Sequence, residues 1–208
     1  MRTRVKICGF TRVEDAILAA RLGVDAIGLV FYPQSPRNVT ITQAAQIVKA
    51  LPAFTTVVGL FVNAEKSWVT EVLEQVSVDC LQFHGEEPPE ACGLFGKPYI
   101  KAIRVQKQTD ITALAHDYRD AAGLLLDAYH PDTKGGTGLA FDWTLIPKQC
   151  ALPVILAGGL LPENARTAIE QCQPYALDVS SGVEVAKGIK DGAKMAAFLK
   201  EVNEGDRS

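Results

Sequence analysis

Gly123-Leu124-Leu125-Leu126-Asp127-Ala128-Tyr129, running on into His130-Pro131-Asp132-Thr133-Lys134-Gly135-Gly136-Thr137-Gly138, is the stretch on which the reading of this chain turns. Three leucines between a glycine and a carboxylate end too abruptly for a helix. They read as a strand apolar on both faces, the kind found in the buried parallel sheets of α/β proteins. At Asp127 the run stops, and the chain enters a loop with glycine at 135, 136 and 138, a composition suited to a mobile cover or a close approach of backbone to ligand. A carboxylate at the mouth of a buried strand is a candidate for proton chemistry. The same residue also serves as a helix cap or a solvated strand end, so its neighbours must decide.

Outward from this strand the pattern repeats. Val5-Lys6-Ile7-Cys8, Ala26 to Phe31, Thr56 to Val62, Cys80 to His84 and Tyr99 to Arg104 precede it, and Pro153 to Ala157 and Tyr175 to Val179 follow. Helices are predicted between them: one opened by Thr11 with Glu14 completing a capping box, one over Thr42 to Leu51, one from Ser67 to Val76, and a short one after His84. Later come a brief helix starting at Phe141-Asp142-Trp143, one opened by Pro162, and one from Gly192 to Val202. Parallel strands each followed by a helix, with no linker or break in composition, predict an α/β protein: a single (β/α)₈ TIM barrel, with residues 1–208 as one catalytic domain. An open doubly wound sheet is the competing architecture, but the first βα turn lacks its G-x-G-x-x-G fingerprint.

Composition narrows the partners. A chain of 208 residues, 48% hydrophobic and 22% charged, can bury one large core. Its net charge of -3 gives no general attraction to nucleic acid or an anionic membrane, so a phosphate ligand would need a local site. No apolar run approaches the ~18 residues of a membrane span, and no targeting segment is read at the basic start Met1-Arg2-Thr3-Arg4. Five cysteines, with no CxxC pair and no clustering with histidine, suggest neither a disulfide framework nor a zinc site, but the reduced thiols of a cytoplasmic protein.

In a barrel of this kind the C-terminal ends of all strands meet at one mouth. Here that brings together Cys8, Arg37, His84, Arg104, Asp127, Gly158-Gly159 and the segment Asp178 to Gly182. Gly158 and Gly159 after strand seven, with Ser180, Ser181 and Gly182 after strand eight, fall where the fold often binds phosphate on exposed N–H groups beside a helix N-terminus. Cys8 differs from Cys80, Cys92, Cys150 and Cys172 by its place at a strand end, where a thiol of lowered pKa is a competent base or nucleophile. Arg37 lies in a loop stiffened by Pro33 and Pro36 and has the planar fork that grips a carboxylate. His84 reads as a hydrogen-bonded wall residue, and Asp178 as a partner for a sugar hydroxyl or for backbone.

These residues, with their order along the chain, resemble a known family. Lys6-Ile7-Cys8-Gly9, the Phe31 to Arg37 loop ending Ser-Pro-Arg, Leu81-Gln82-Phe83-His84-Gly85, Leu126-Asp127, Gly135-Gly136-Thr137-Gly138, Ala157-Gly158-Gly159-Leu160, Asp178-Val179-Ser180-Ser181-Gly182-Val183-Glu184 and Gly188-Ile189-Lys190-Asp191 together resemble phosphoribosylanthranilate isomerase of tryptophan biosynthesis. Phe83, where leucine is commoner, and Ala186-Lys187, where a proline usually precedes the glycine, are slight departures. The resemblance implies a cofactor-free Amadori rearrangement of a phosphosugar-anthranilate substrate by a monomer or homodimer. It implies Asp127 as general acid, Cys8 as thiolate base, Arg37 for the anthranilate carboxylate, and the turns after strands seven and eight for the phosphate. An acid must start protonated and a base deprotonated, so the site is expected to hold Asp127 above its free pKa of ~3.9 and to lower that of Cys8. Rival readings are another phosphosugar barrel, an epimerase or aldolase, and a non-catalytic phosphate-binding barrel; an aldolase would want a strand-end lysine for a Schiff base.

Overall fold

Each strand's side chains alternate between two apolar environments, and that alternation builds the molecule. The computed structural model describes residues 2–128, 143–147 and 149–207. Its strands β1 (Arg4–Cys8), β2 (Ala26–Val30), β3 (Thr56–Phe61), β4 (Cys80–Phe83), β5 (Tyr99–Val105), β6 (Gly123–Ala128), β7 (Val154–Leu156) and β8 (Ala176–Val179) pair in parallel, each with the next and β8 with β1, as a closed barrel. On the outer face Ile7, Ile27, Leu81, Leu124, Leu126 and Leu177 pack under the helices. On the inner face Val58, Ile100, Ala102, Leu125, Ile155 and Ala176 fill the barrel, and Cys8, Val30 and Leu60 lie together in a separate cluster. The three leucines of β6 are thus divided as a strand apolar on both faces requires.

Around the barrel run α1 (Val13–Leu22), α2 (Ile41–Ala50), α3 (Lys66–Gln75), the single turn α4 (Pro89–Cys92), α5 (Ile111–Asp117), α6 (Pro162–Cys172) and α7 (Gly192–Gly205). Their small or branched residues, such as Ala16 and Ala19 in α1 and Ala44 and Ile47 in α2, are buried against the strands. Phe31, Phe61 and Phe83 form a row on the outer face, with ring centroids 5.3 and 6.4 Å apart, bracing β2 to β4 near their C-terminal ends.

Two expectations need correction and one feature is new. Thr11 does not cap α1: the N-cap is Arg12, and the Thr11 hydroxyl instead donates to the Gly188 carbonyl at 2.6 Å, a tertiary contact that outcompetes the local one. The capping box lies one helix later, where Thr40 and Gln43 bond reciprocally at the start of α2. After β8 the chain adds an antiparallel pair, β9 (Glu184–Ala186) and β10 (Ile189–Lys190), before Asp191 caps α7. The brief helix is a 3₁₀ turn over Trp143–Leu145; its expected start at Phe141 and Asp142, and the glycine loop 135–138, lie outside the described residues. Among the described residues no helix is long and apolar enough to cross a membrane.

Candidate active site at the barrel mouth

Period-two alternation carries the inner face of each strand to a last residue at the mouth, and these last residues are mostly polar. Lys6 and Cys8 lie on the inner face of β1, Gln82 and His84 on that of β4, Leu125 and Asp127 on that of β6, and Asp178 and Ser180 on that of β8. A cavity of about 440 Å³ opens above them, within the range of small-molecule sites. Cys8, Arg37, His84, Asp127, Gly158, Gly159, Asp178, Ser180 and Ser181 line it; Gly182 and Arg104 do not. Arg104 is exposed.

Cys8 is 6% exposed and sits in register with Gly28 of β2. A methyl group at position 28 would lie 2.6 Å from the Cys8 sulfur, so the glycine leaves room for the thiol. The Cys8 carbonyl accepts from Ser180 Oγ at 2.9 Å and from Lys190 Nζ at 2.5 Å. Burial pushes the thiol above its ordinary value; the ammonium groups of Lys6 and Lys190 pull the other way, and Asp178 adds to the rise. The expected lowering of Cys8 is therefore corrected. Lys6 also meets the Asp178 carboxylate at 2.9 Å through both oxygens. That bidentate grip holds the Lys6 ammonium above its usual range in spite of burial. Asp178 lines the cavity with its oxygens turned to a buried lysine, not to backbone as one reading had it.

At the other side of the acid question, Asp127 Oδ2 lies 3.2 Å from His84 Nε2, and His84 Nδ1 lies 3.0 Å from Gln82 Nε2. The expectation that His84 is a hydrogen-bonded wall residue fits this placement. Its loop is locked from behind by Glu87, which accepts from the backbone N–H of Asn63 at 2.6 Å and of Gly85 at 2.9 Å and pairs with Lys101 at 2.9 Å.

Arg37 reaches the cavity along Gly9, which has φ +85° and whose missing side chain makes way for the arginine stem. Its Nε and Nη2 donate to the Glu184 carboxylate at 2.8 and 2.6 Å. One edge of the fork is thus occupied, and a ligand carboxylate is left the edge formed by Nη1 and the second Nη2 hydrogen. Glu184 also meets Lys190 Nζ at 2.7 Å, and although burial pushes its carboxyl up, the bonds from Arg37 and Lys190 hold it below the ordinary range. Lys190 spends its three hydrogens on Glu184 and the carbonyls of Cys8 and Ser180.

The two turns meet. Gly158 and Gly159, at φ +81° and +66°, form a left-handed pair that side chains would strain, just before the N-terminus of α6. Asn164 fastens that turn by donating to the Gly159 carbonyl at 2.9 Å and accepting from Leu161 N–H at 2.8 Å. Ser180 and Ser181 lead into the other turn, and Gly182 stands behind the cavity, where any side chain would overlap the Leu160 carbonyl. Exposed backbone N–H groups near a helix start are what a phosphate uses.

Lys6, Gly28, Gln82, Glu184 and Lys190 are site components to which sequence reasoning gave no role. For Lys6, Gly28 and Gln82 the signal was a polar residue, or a glycine, at an inward position of an otherwise apolar strand; Glu184 and Lys190, on the hairpin after β8, carry no such signal. Among the described residues no group of histidine, cysteine and carboxylates is assembled as metal ligands, and all five cysteines are free.

The sequence profile of the N-(5'phosphoribosyl)anthranilate (PRA) isomerase family matches residues 5–201. An N-(5'-phosphoribosyl)anthranilate isomerase of Nitrosococcus oceani is 61% identical over 203 residues, 98% of each chain. The crystal structure of phosphoribosyl anthranilate isomerase from Thermotoga maritima superposes with a TM-score of 0.89 at 40% identity, covering 97% of this chain and 99% of that one. A phosphoribosyl anthranilate isomerase in complex with reduced 1-(o-carboxyphenylamino)-1-deoxyribulose 5-phosphate gives a TM-score of 0.86 at 40% identity and the same coverage. A barrel with this mouth, matched along nearly its whole length, belongs to the N-(5'-phosphoribosyl)anthranilate isomerase family.

Proposed function

We propose that the chain, acting as one domain in the cytoplasm, converts N-(5-phosphoribosyl)anthranilate to 1-(2-carboxyphenylamino)-1-deoxyribulose 5-phosphate in tryptophan biosynthesis, with Asp127 as general acid and Cys8 as general base. The observation that carries the assignment of roles is that Cys8 from β1 and Asp127 from β6, distant in sequence, line one cavity with Arg37 and two glycine- and serine-rich turns.

Asp127 gives its proton to the furanose ring oxygen as the bond from that oxygen to C1′ breaks, and the anthranilate nitrogen supplies the electron pair of the resulting iminium. Cys8 then takes the proton from C2′, and those electrons form the C1′–C2′ double bond of an enolamine while neutralising the nitrogen. Return of a proton to C1′ and loss of the 2′-hydroxyl proton leave the ketose. C1′ is reduced by the same electrons that oxidise C2′, so reactant and product are isomers. Arg37 holds the anthranilate carboxylate on its open edge, and the turns at Gly158-Gly159 and Ser180-Ser181 hold the phosphate, fixing both ends of the molecule while the middle reacts.

An aldolase reading finds no support in the lysines: Lys6, Lys101 and Lys190 are each paired with a buried carboxylate, and Lys134 lies outside the described residues. The test is to mix the purified protein with freshly made phosphoribosylanthranilate and follow substrate fluorescence. A catalysed loss that yields the ketose phosphate is expected; a rate no faster than buffer would reject the reading.

A further inference from the structure

Gln82 is wholly buried, yet only one end of its amide is satisfied. Its Nε2 lies 3.0 Å from His84 Nδ1, while its Oε1 has no hydrogen-bond partner among the described residues. An apolar side chain would fill the space without that penalty, as Cys80 does lower on β4 and Leu125 on β6. The amide therefore has a task at its nitrogen end.

An amide nitrogen can only donate, so Nδ1 of His84 must accept, and a neutral ring then carries its proton on Nε2. Nε2 lies 3.2 Å from Asp127 Oδ2, and its N–H donates to that oxygen. Turning the amide over would place Oε1 against an Nδ1–H and leave both hydrogens of the NH₂ unmet in the interior, instead of one hydrogen and the carbonyl oxygen, and a buried unmet N–H is the rarer of the two. It would also point the lone pair of Nε2 at Asp127, which would then have to keep its proton on Oδ2, facing the ring and not the cavity.

We propose that Gln82 is a positioning residue for the proton-donating step: its amide fixes His84 as the Nε2–H tautomer, which pins Asp127 Oδ2 and stabilises the carboxylate left when Oδ1 delivers its proton to the substrate. The inference rests on the reading of Asp127 as the acid. The hydrogen bond from His84 gains most once the carboxylate is formed, so it favours the transition state over the bound substrate. On this proposal Gln82 acts through His84, the one side chain its amide nitrogen meets.

The experiment uses full-length protein labelled with ¹⁵N-histidine, with the His84 ring signals identified by their loss in His84→Asn, and reads the tautomer without reference to turnover. Wild type should show the proton on Nε2, and Gln82→Glu, which presents only acceptors when ionised, should place one on Nδ1. Gln82→Met, matched in length and unable to bond, should lower kcat by roughly tenfold or more, a part of the roughly 10²- to 10⁴-fold that acid catalysis supplies, at a nearly unchanged KM. A wild-type ring protonated on Nδ1 alone would overturn the proposal, as would a folded Gln82→Met protein with wild-type tautomer and kcat. Failure of the functional reading itself is distinguishable, because it shows as wild-type protein that does not convert phosphoribosylanthranilate.

Discussion

Arg37 and Glu184, separated by most of the chain, meet through two parallel hydrogen bonds of 2.8 and 2.6 Å, and the pair joins the loop after β2 to the hairpin after β8. The contact aims the guanidinium and leaves one of its edges for a ligand. Arg37→Ala should chiefly raise KM, and Arg37→Lys should not restore it, because a point charge cannot replace a fork held by Glu184 on one side. An analogue lacking the anthranilate carboxylate should bind wild type poorly. If Arg37→Ala still discriminates against that analogue as strongly as wild type does, another residue reads the carboxylate.

The same pair sets a pH dependence of stability. The Glu184 carboxyl is held below its ordinary value in the folded protein, so its contribution is present above the unfolded value of ~4.3 and is lost as pH falls through the folded one. Glu184→Gln should destabilise by on the order of 1–3 kcal/mol near neutrality, since Arg37 and Lys190 lose a charged partner. Thermal unfolding of both proteins from neutral to acid pH checks this. The gap in Tm should narrow on acidification, and a gap constant with pH would remove the ion pair as its cause.

Cys8 works as a base only when deprotonated, so kcat/KM should rise with pH through the thiol pKa of the free enzyme. Because burial pushes that thiol up, the rise belongs on the alkaline side of the ordinary ~8.5. A rise centred below neutrality would mean that Lys6 and Lys190 outweigh burial. Alkylating agents that enter the cavity should inactivate at Cys8, which lines it, with product protecting, and labelling only at Cys80, Cys92, Cys150 or Cys172 would count against the assignment.

Gly28 offers a test of packing against chemistry. A methyl group there would meet the Cys8 sulfur at 2.6 Å and its Cα at 3.0 Å, so Gly28→Ala must move the base or the strand. Overpacking of this kind costs about 1–3 kcal/mol, and turnover should fall even where the variant is fully folded. Unchanged kcat in folded Gly28→Ala would show that the thiol has more freedom than its surroundings suggest.

The parts of this molecule that were legible in its sequence are those encoded locally. Leu124, Leu125 and Leu126 announce a strand buried on both faces, and once eight such strands close, period two alone carries Cys8, His84, Asp127 and Ser180 inward to one mouth. What escaped reading depends on partners far along the chain. Thr11 has the look of a cap beside Glu14, but Gly188 claims its hydroxyl; Glu184 and Lys190 resemble surface charges until the hairpin folds them under Cys8 and Arg37. The thiol pKa departs from expectation for a related reason: closing the barrel buries Cys8, and that burial outweighs the lowering by Lys6 and Lys190.

The central claim is that Asp127 donates and Cys8 removes a proton on one bound substrate. It is tested most directly by the fluorescence decay of freshly made phosphoribosylanthranilate at saturating concentration with wild type, Asp127→Asn and Cys8→Ser measured side by side. Asparagine keeps the size of Asp127 and serine the shape of Cys8, but the first cannot give up a proton and the second is far less acidic. Each variant should remain folded, bind product, and lose roughly 10²- to 10⁴-fold in turnover. Near-wild-type decay with Asp127→Asn would move the acid to another group, with Asp178 the next to test, and near-wild-type decay with Cys8→Ser would remove the thiol from the mechanism.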